Sequence, residues 1–203
     1  MSGIFDATQH YLQQHLSPTR YTHSLGVMRI MAELTDIYAL DQKTAKLAGL
    51  AHDVAKDMSA TALLRVAEQG RLPITHAIEY HPMYLHGPVG AYLAQQTLNI
   101  NDPQVLTAIR THTTHDDEPG LYNQLCWCLR FADILAPVIP WSGQEKLRRT
   151  VFAGAFKKAQ LLLSTWVIEY FEYAKIPVHP NFKHNAASLL AQLQVGEEFF
   201  ARE

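Results

Sequence analysis

Cysteine is scarce: of 203 residues only Cys126 and Cys128 are cysteines. Their stretch reads as helical, and positions i and i+2 do not face each other on a helix. A disulfide between them is therefore not expected, and a reducing, cytoplasmic setting is. No run of roughly 18 apolar residues occurs, so no membrane span is expected. The opening MSGIFDATQHYLQQHL lacks a basic leader followed by an apolar run, and does not read as a secretory signal. Neither sign of charge is in surplus. Lys plus Arg number 17 and Asp plus Glu 19, a net −2, so nothing points to nucleic acid or an acidic membrane as partner. A local basic pocket for a small anion stays open. There is no Gly-rich phosphate loop of the GxxxxGK[ST] type and no evident Ser-His-Asp nucleophile. Repeats and low-complexity tracts are absent, and few stretches alternate with period two.

What is present is an ordinary globular balance, 48% hydrophobic and 18% charged, in a chain of one-domain length. Helical signals follow one another along it. Residues 4 to 15 read as a short amphipathic helix. Ser17-Pro18 caps a second one to about Leu40, with the stripe Val27, Ile30, Met31, Leu34, Ile37 and Tyr38. Asp41 caps a third to about Lys56, with Ala45, Ala48 and Gly49 as a small-residue face. Ser59 starts a fourth, ending near Gly70. After a loop, His86-Gly87-Pro88 opens one through Leu98, and Asp102-Pro103 another ending near His112. Past THTTHDDEPG comes a helix with Tyr122, Leu125, Cys126, Leu129 and Asp133 on one stripe. A long helix from about Ser142 to Ala174 and a last one, about 182 to 194, complete an all-α chain. We read 1–203 as a single domain, a core at about 18–137 with the helices of about 142–194 packed on it.

The unusual count is histidine, at 11. Ala-His-Asp at 51–53 sits in LAGLAHDVAK, a stretch otherwise apolar, with Lys56 one turn after His52. A buried imidazole and carboxylate need partners, because an unpaired buried charge is costly. His23, His86, His112 and Asp133 are fitting ones, each on an inward stripe or at a helix start. Helical bundles assemble metal sites in this way. Four imidazoles and two carboxylates can hold two divalent cations, with Asp53 the natural bridge. The mixture suits iron, manganese, zinc or nickel, and two such ions can activate a water and offset phosphoryl charge.

Each residue alone has a plainer role. His23 is a core histidine, His112 a helix C-cap, His86 a residue before a Gly-Pro turn, and Asp133 an N-cap or a partner of Arg130. Several titratable groups on apolar stripes of separate helices would be costly unless they converge. His10, His15, His76, His179 and His184 read as peripheral. His81 and His115 lie where they can reach the rim of the site. Cys126, Trp127, Trp141 and Trp166 read as packing.

RYTHSLGVMRIMAELTDIYALDQKTAKLAGLAHDVAK, HGPVGAYLAQQ, AIRTHTT and LRFADILAP together resemble the HD superfamily of metal-dependent phosphohydrolases over roughly residues 18 to 137. Within it they are most similar to the YqeK-type group of symmetrical bis(5'-nucleosyl)-tetraphosphatases, which cut diadenosine tetraphosphate into two ADP. The resemblance implies an HD-domain helical bundle with the metal site in its core. It implies that His23, His52, Asp53 and Asp133 hold one metal, and that Asp53 bridges to a second on His86 and His112. It suggests iron. Asp53 and Lys56 become the catalytic pair, with Arg20, Lys56 and His115 as substrate-binding residues. The expected partner is a small nucleotide, and a homodimer is left open.

Two stretches depart from that group. After the last aspartate it has Glu-Pro followed by Arg, where this chain has Ala136-Pro137-Val138-Ile139. After HTT it has glycine, where this chain has His115 and then Asp116, Asp117 and Glu118. An acidic rim would repel a polyphosphate unless it faces water or binds cations. Three competing readings follow: an HD phosphohydrolase or phosphodiesterase for another nucleotide, a non-catalytic nucleotide sensor, and a structural bundle with a buried polar network.

Overall fold

The computed structural model describes residues 3–74, 81–113, 123–136, 143–178, 180, 183–184 and 186–192. The chain forms two compact units, Met1–Pro140 and Trp141–Glu203. Among the described residues there is no strand, and no helix is long and apolar enough to cross a membrane. Both cysteines are free thiols buried in the protein.

In the first unit, α1 (Ile4–His15), α2 (Pro18–Tyr38), α3 (Gln42–Ala51) and α4 (Ala60–Gln69) are followed by a 3-10 turn (Pro82–Leu85), α5 (His86–Gln96), α6 (Pro103–Thr111) and α7 (Gln124–Leu135). Their starts are encoded locally. Ser17, Asp41, Ser59, Asp102 and Asn123 each accept a backbone N–H of the first turn through the side chain, and Pro18 and Pro103 occupy positions where no N–H is needed. Val27, Met31, Leu34, Ala45, Ala48, Leu50, Ile109, Leu129 and Phe131 are buried in the core. A second cluster joins Ala55, Leu63, Ala67, Leu85 and Val89. It ties α4 to the turn and to α5.

Two glycines set how closely the site-bearing helices approach. A methyl group at Gly49 would sit 3.0 Å from Met28 Cα, so the small face of α3 lies directly on the α2 backbone. At Gly87 a methyl would meet Arg110 O at 2.7 Å. That contact joins the first turn of α5, beside His86, to the last turn of α6, beside His112. Gly87→Ala will force the two ends apart, at a cost of about 1–3 kcal/mol for overpacking. The expected result is a lower melting temperature together with weaker metal retention, read by thermal unfolding and elemental analysis.

The third helix ends earlier than its sequence suggests. It stops at Ala51, and residues 52–57 continue as turns held by Val54 N–H to Ala51 O, 3.1 Å, and Lys56 N–H to Asp53 O, 2.9 Å. The His52 ring marks this end. Its Nδ1 takes the Gly49 carbonyl at 2.8 Å, which a continuing helix would present to the N–H of Asp53. Asp57, at the end of this turn, accepts the Ser17 N–H at 2.7 Å and so ties it to the start of α2.

In the second unit the expected single helix from Ser142 to Ala174 is two: α8 (Gln144–Phe152) and α9 (Phe156–Tyr173). Gly154, at φ 72°, breaks them, and Ala155 N–H returns to Thr150 O at 3.2 Å. This is a glycine-terminated helix end that a side chain would disfavour. Residues 186–192 are helical as well.

Candidate active site

Three of the four candidate histidines sit at helix ends, and the same device orients them. A helix terminus leaves its last carbonyls without intrahelical partners. His52 Nδ1 lies 2.8 Å from Gly49 O, and His112 Nδ1 lies 2.7 Å from Ile109 O. His86 Nδ1 bonds to Met83 O in the same way, again three residues back. His23, inside α2, reaches Ala136 O through Nδ1 at 2.7 Å. A carbonyl oxygen only accepts, so each Nδ1 carries a proton. In the neutral rings the lone pair is then on Nε2, and every Nε2 is turned toward the same interior space. Metal-ligating histidines are commonly held in this manner.

Around those nitrogens stand two carboxylates. Asp133 Oδ1 is 3.1 Å from His23 Nε2 and 3.7 Å from His52 Nε2. Its Oδ2 accepts from Arg130 Nη1 at 2.8 Å. Asp53, at the centre, is 1% exposed. Its Oδ2 lies 3.5 Å from His52 Nε2, and its Oδ1 lies 3.5 Å from both His86 and His112 Nε2. His23, His52 and Asp53 form one group able to hold a cation, and Asp53, His86 and His112 form another, with Asp53 common to both.

Cations reach the rim. Arg20 Nη1 bonds Asp53 Oδ2 at 2.9 Å, with Asp57 Oδ1 4.0 Å from its Nε. Lys56 Nζ is 3.1 Å from His86 Nε2 and 4.0 Å from Asp53 Oδ1. Both side chains are partly exposed, so they can meet a ligand while their inner ends contact the buried cluster.

The donor set fits metal ions, on three observations. His52 Nε2 and Asp53 Oδ1 are buried with no hydrogen-bond partner, a costly arrangement for groups of this kind. His86 and His112 point Nε2 at Nε2 across 3.0 Å, lone pair against lone pair. Burial and the neighbouring positive charge of Lys56 hold His86 well below the ordinary histidine value, and burial lowers His112 as well. A cation between such nitrogens resolves the conflict without protonating either ring.

The remaining groups respond to one another's charge. Burial opposes the charged forms of Asp53 and Asp133. Nonetheless the His52 charge beside Asp53, and the His23 hydrogen bond together with the nearby His52 charge at Asp133, hold both carboxyls well below the usual carboxylate range. For His52, burial pulls down, but the Asp53 and Asp133 carboxylates raise it to about 10. At 3.5 and 3.7 Å these contacts are ion pairs rather than good hydrogen bonds.

The sequence pattern of the HD domain family matches residues 20–138, more than half of the chain. The chain belongs to the HD domain family. HD domain proteins are metal-dependent, and Asp53, common to both ligand groups, lies within the matched segment. Two relatives carry the name symmetrical bis(5'-nucleosyl)-tetraphosphatase. The one from Bacillus subtilis (strain 168) is 32% identical over 138 residues, 68% of this chain and 72% of its own length. The one from Halalkalibacterium halodurans is 30% identical over 173 residues, 84% of this chain and 88% of its own. A crystal structure from Clostridium acetobutylicum, described as a predicted HD superfamily hydrolase involved in NAD metabolism, superposes with a TM-score of 0.83. It is 29% identical and the match covers 95% of this chain and 99% of that one.

The HD fold thus brings together His23, His52, Asp53, His86, His112 and Asp133, with Arg20 and Lys56 beside them. His115 lies outside the described residues, as do His76, Asp116, Asp117, Glu118 and the stretch 137–139. Sequence reading named Arg130 as a partner for Asp133, and Arg130 holds the outer oxygen of that carboxylate. It missed two contributors: Gly87 permits the α5–α6 approach, and Thr113 lies within 3.3 Å of two imidazoles. The glycine had a signal, its place directly after His86. Thr113 had only its position directly after His112.

Proposed function

We propose that this HD protein hydrolyses a phosphoanhydride of diadenosine tetraphosphate to release two ADP, using two divalent cations. The observation that carries the reading is Asp53, whose two oxygens face two separate histidine clusters. The names of the relatives that share the HD domain supply the substrate. His23, His52, Asp53 and Asp133 would hold one cation, and Asp53, His86 and His112 the other. Bound there, a pair of cations lowers the pKa of water toward neutrality and offsets charge on a phosphoryl group. Iron is our assignment, with manganese, nickel or zinc as substitutes of similar ligand preference.

The chain's own residues do the rest. The backbone-anchored imidazoles keep four Nε2 atoms directed inward, and a cation at His52 would take the place of the proton that the Asp53 and Asp133 carboxylates otherwise hold there. Arg130 fixes Asp133 so that Oδ1 alone faces His23 and His52. Lys56 and Arg20 stand where they can contact non-bridging phosphate oxygens, Arg20 by exchanging its bond to Asp53 for one to the substrate. Asp53, between the clusters, and Lys56, at their edge, are the catalytic pair of this reading. His115 is assigned to the substrate rim.

Incubation of metal-loaded protein with a panel of nucleotides tests it. Two ADP per diadenosine tetraphosphate is the expected product. No cleavage of that compound, with turnover of another nucleotide, establishes the second reading, which Ala136-Pro137-Val138-Ile139 and the acidic 116–118 favour. Lys56→Ala is expected to lower kcat/KM by about 10–100-fold, the size of one to two lost charge-assisted contacts, with metal content unchanged. An Asp53→Ala protein that loses metal yet binds nucleotide normally would instead indicate a sensor.

We also read the chain as a cytoplasmic protein of one functional domain. A homodimer is compatible with this reading, and neither nucleic acid nor membrane is a partner in it. Fractionation and sedimentation check these points.

A further inference from the structure

We propose that Asp57 is a positioning residue for Arg20, the anchor that keeps this guanidinium ready for a nucleotide phosphate once Asp53 is engaged with cations. The inference rests on the reading of the two clusters as cation sites and of Arg20 as a phosphate contact, but not on the identity of the nucleotide. Among the described residues two carboxylates lie within 4.0 Å of the Arg20 guanidinium. Nη1 bonds Asp53 Oδ2 at 2.9 Å, and Nε stands 4.0 Å from Asp57 Oδ1. Asp53 is buried, whereas Asp57 is partly exposed.

Asp53 cannot hold cations and Arg20 on the same carboxylate. Its Oδ2 faces His52 Nε2 at 3.5 Å, and its Oδ1 faces His86 and His112. A guanidinium kept beside cations there would be repelled by them. Without a second anchor the partly exposed Arg20 side chain would turn to water, and ligand binding would have to order it again. Asp57 is that anchor. Its Oδ2 accepts the Ser17 N–H at 2.7 Å, which leaves Oδ1 for Arg20. Ser17 is the N-cap of α2, and Arg20 lies in the first turn, its own N–H 3.4 Å from Ser17 Oγ. Asp57 and Arg20 are therefore tied to the same helix start. A guanidinium held through Nε keeps its Nη donors for phosphate oxygens.

The sign of one substitution decides the point. An acid at the rim that acted only by its charge would repel phosphates, so that its removal would tighten binding. Positioning requires the reverse. The test is calorimetric titration of metal-loaded protein with ADP and with inorganic phosphate, alongside diadenosine tetraphosphate hydrolysis and elemental analysis. Asp57→Asn keeps an oxygen for the Ser17 N–H and removes the charge. It is expected to weaken ADP and phosphate about three- to fivefold, the range of a partly exposed ion pair. KM should rise by a similar factor, with kcat and cation content as in wild type. Asp57→Glu, which keeps the charge, restores most of the affinity. In an Arg20→Ala background Asp57→Asn has no further effect. If the asparagine variant fails to fold, the comparison of Asp57→Ser with Asp57→Glu carries the same expectation.

Tighter ADP binding by Asp57→Asn overturns the proposal. So does an undiminished effect in the Arg20→Ala background, which would reduce Asp57 to a tie between the 52–57 turn and α2. Wild-type ADP affinity in Arg20→Ala alone also overturns it. Absence of diadenosine tetraphosphate cleavage, with the Asp57 effect on ADP intact, refutes the substrate and leaves this inference standing.

Discussion

Asp53→Asn will lose both cations, and hydrolysis will fall by about three orders of magnitude, about 4 kcal/mol of transition-state stabilisation. The substitution preserves shape and so leaves the packing of a residue only 1% exposed undisturbed. What it removes is the negative charge that faces three imidazoles within 3.5 Å and the guanidinium of Arg20 at 2.9 Å. Among the described residues no other belongs to both clusters, so none of them should empty both when substituted. His86→Ala is the control. It should cost one cation equivalent, leaving His23, His52 and Asp133 with the other. Elemental analysis and single-turnover hydrolysis, on protein whose helix content is unchanged by circular dichroism, give the comparison. An Asp53→Asn protein that keeps two cations removes the bridging role, and with it the two-cation hydrolase.

Chelation should stop hydrolysis, and stability should fall and become strongly pH-dependent. Saturating cation at about 100 times its dissociation constant adds about 2.7 kcal/mol per site to the folded state, so its removal is visible in thermal unfolding. The metal-free protein is expected to be most stable near pH 6.5. His52, raised from 6.5 to about 10, stabilises the fold fully below 6.5, and this contribution is lost as pH rises through about 10. His86 and His112 are shifted the other way. Their folded forms resist the protons that the unfolded chain takes up near 6.5, so acidification favours unfolding. Asp53 and Asp133, held below 3.8, stabilise above that value and lose their contribution as pH falls through their folded values. Melting curves of chelated protein at a series of pH values should therefore fall away on both sides of a maximum. A curve that rises monotonically to pH 10, or a melting temperature that chelation does not move, contradicts this account. Loaded protein should lose its cations on acidification, because protons compete for the same nitrogens and oxygens.

Much of the site was readable from residue type and position. His52 and Asp53 stand out because two polar, ionisable side chains interrupt an apolar stretch. His23 and Asp133 lie on apolar stripes where a charge without a partner would be destabilising. Asp102-Pro103 and Ser17-Pro18 mark helix starts that the structure reproduces, since capping depends on neighbours within a turn. The misreadings arose where a side chain or a single backbone angle overrode periodicity. The helix before His52 ends at Ala51, where an imidazole bonds a carbonyl that the pattern assigns to the backbone. The break at Gly154 is one residue with a positive φ, and apolar spacing on either side of it is nearly continuous.

From the sequence alone follow the helices, their caps, and the presence of four imidazoles and two carboxylates that have to meet in a low-dielectric interior. Those follow from local hydrogen-bond chemistry and from the cost of burying charge, both of which act residue by residue. Only the folded chain decided that Asp53 stands between the other ligands, that all four rings expose Nε2, that Arg20, Arg130 and Lys56 attend particular atoms, and that Thr113 joins them. These depend on how closely α5 approaches α6 at Gly87 and α3 approaches α2 at Gly49. Such distances are set by packing between segments far apart in the chain, and no local pattern encodes them.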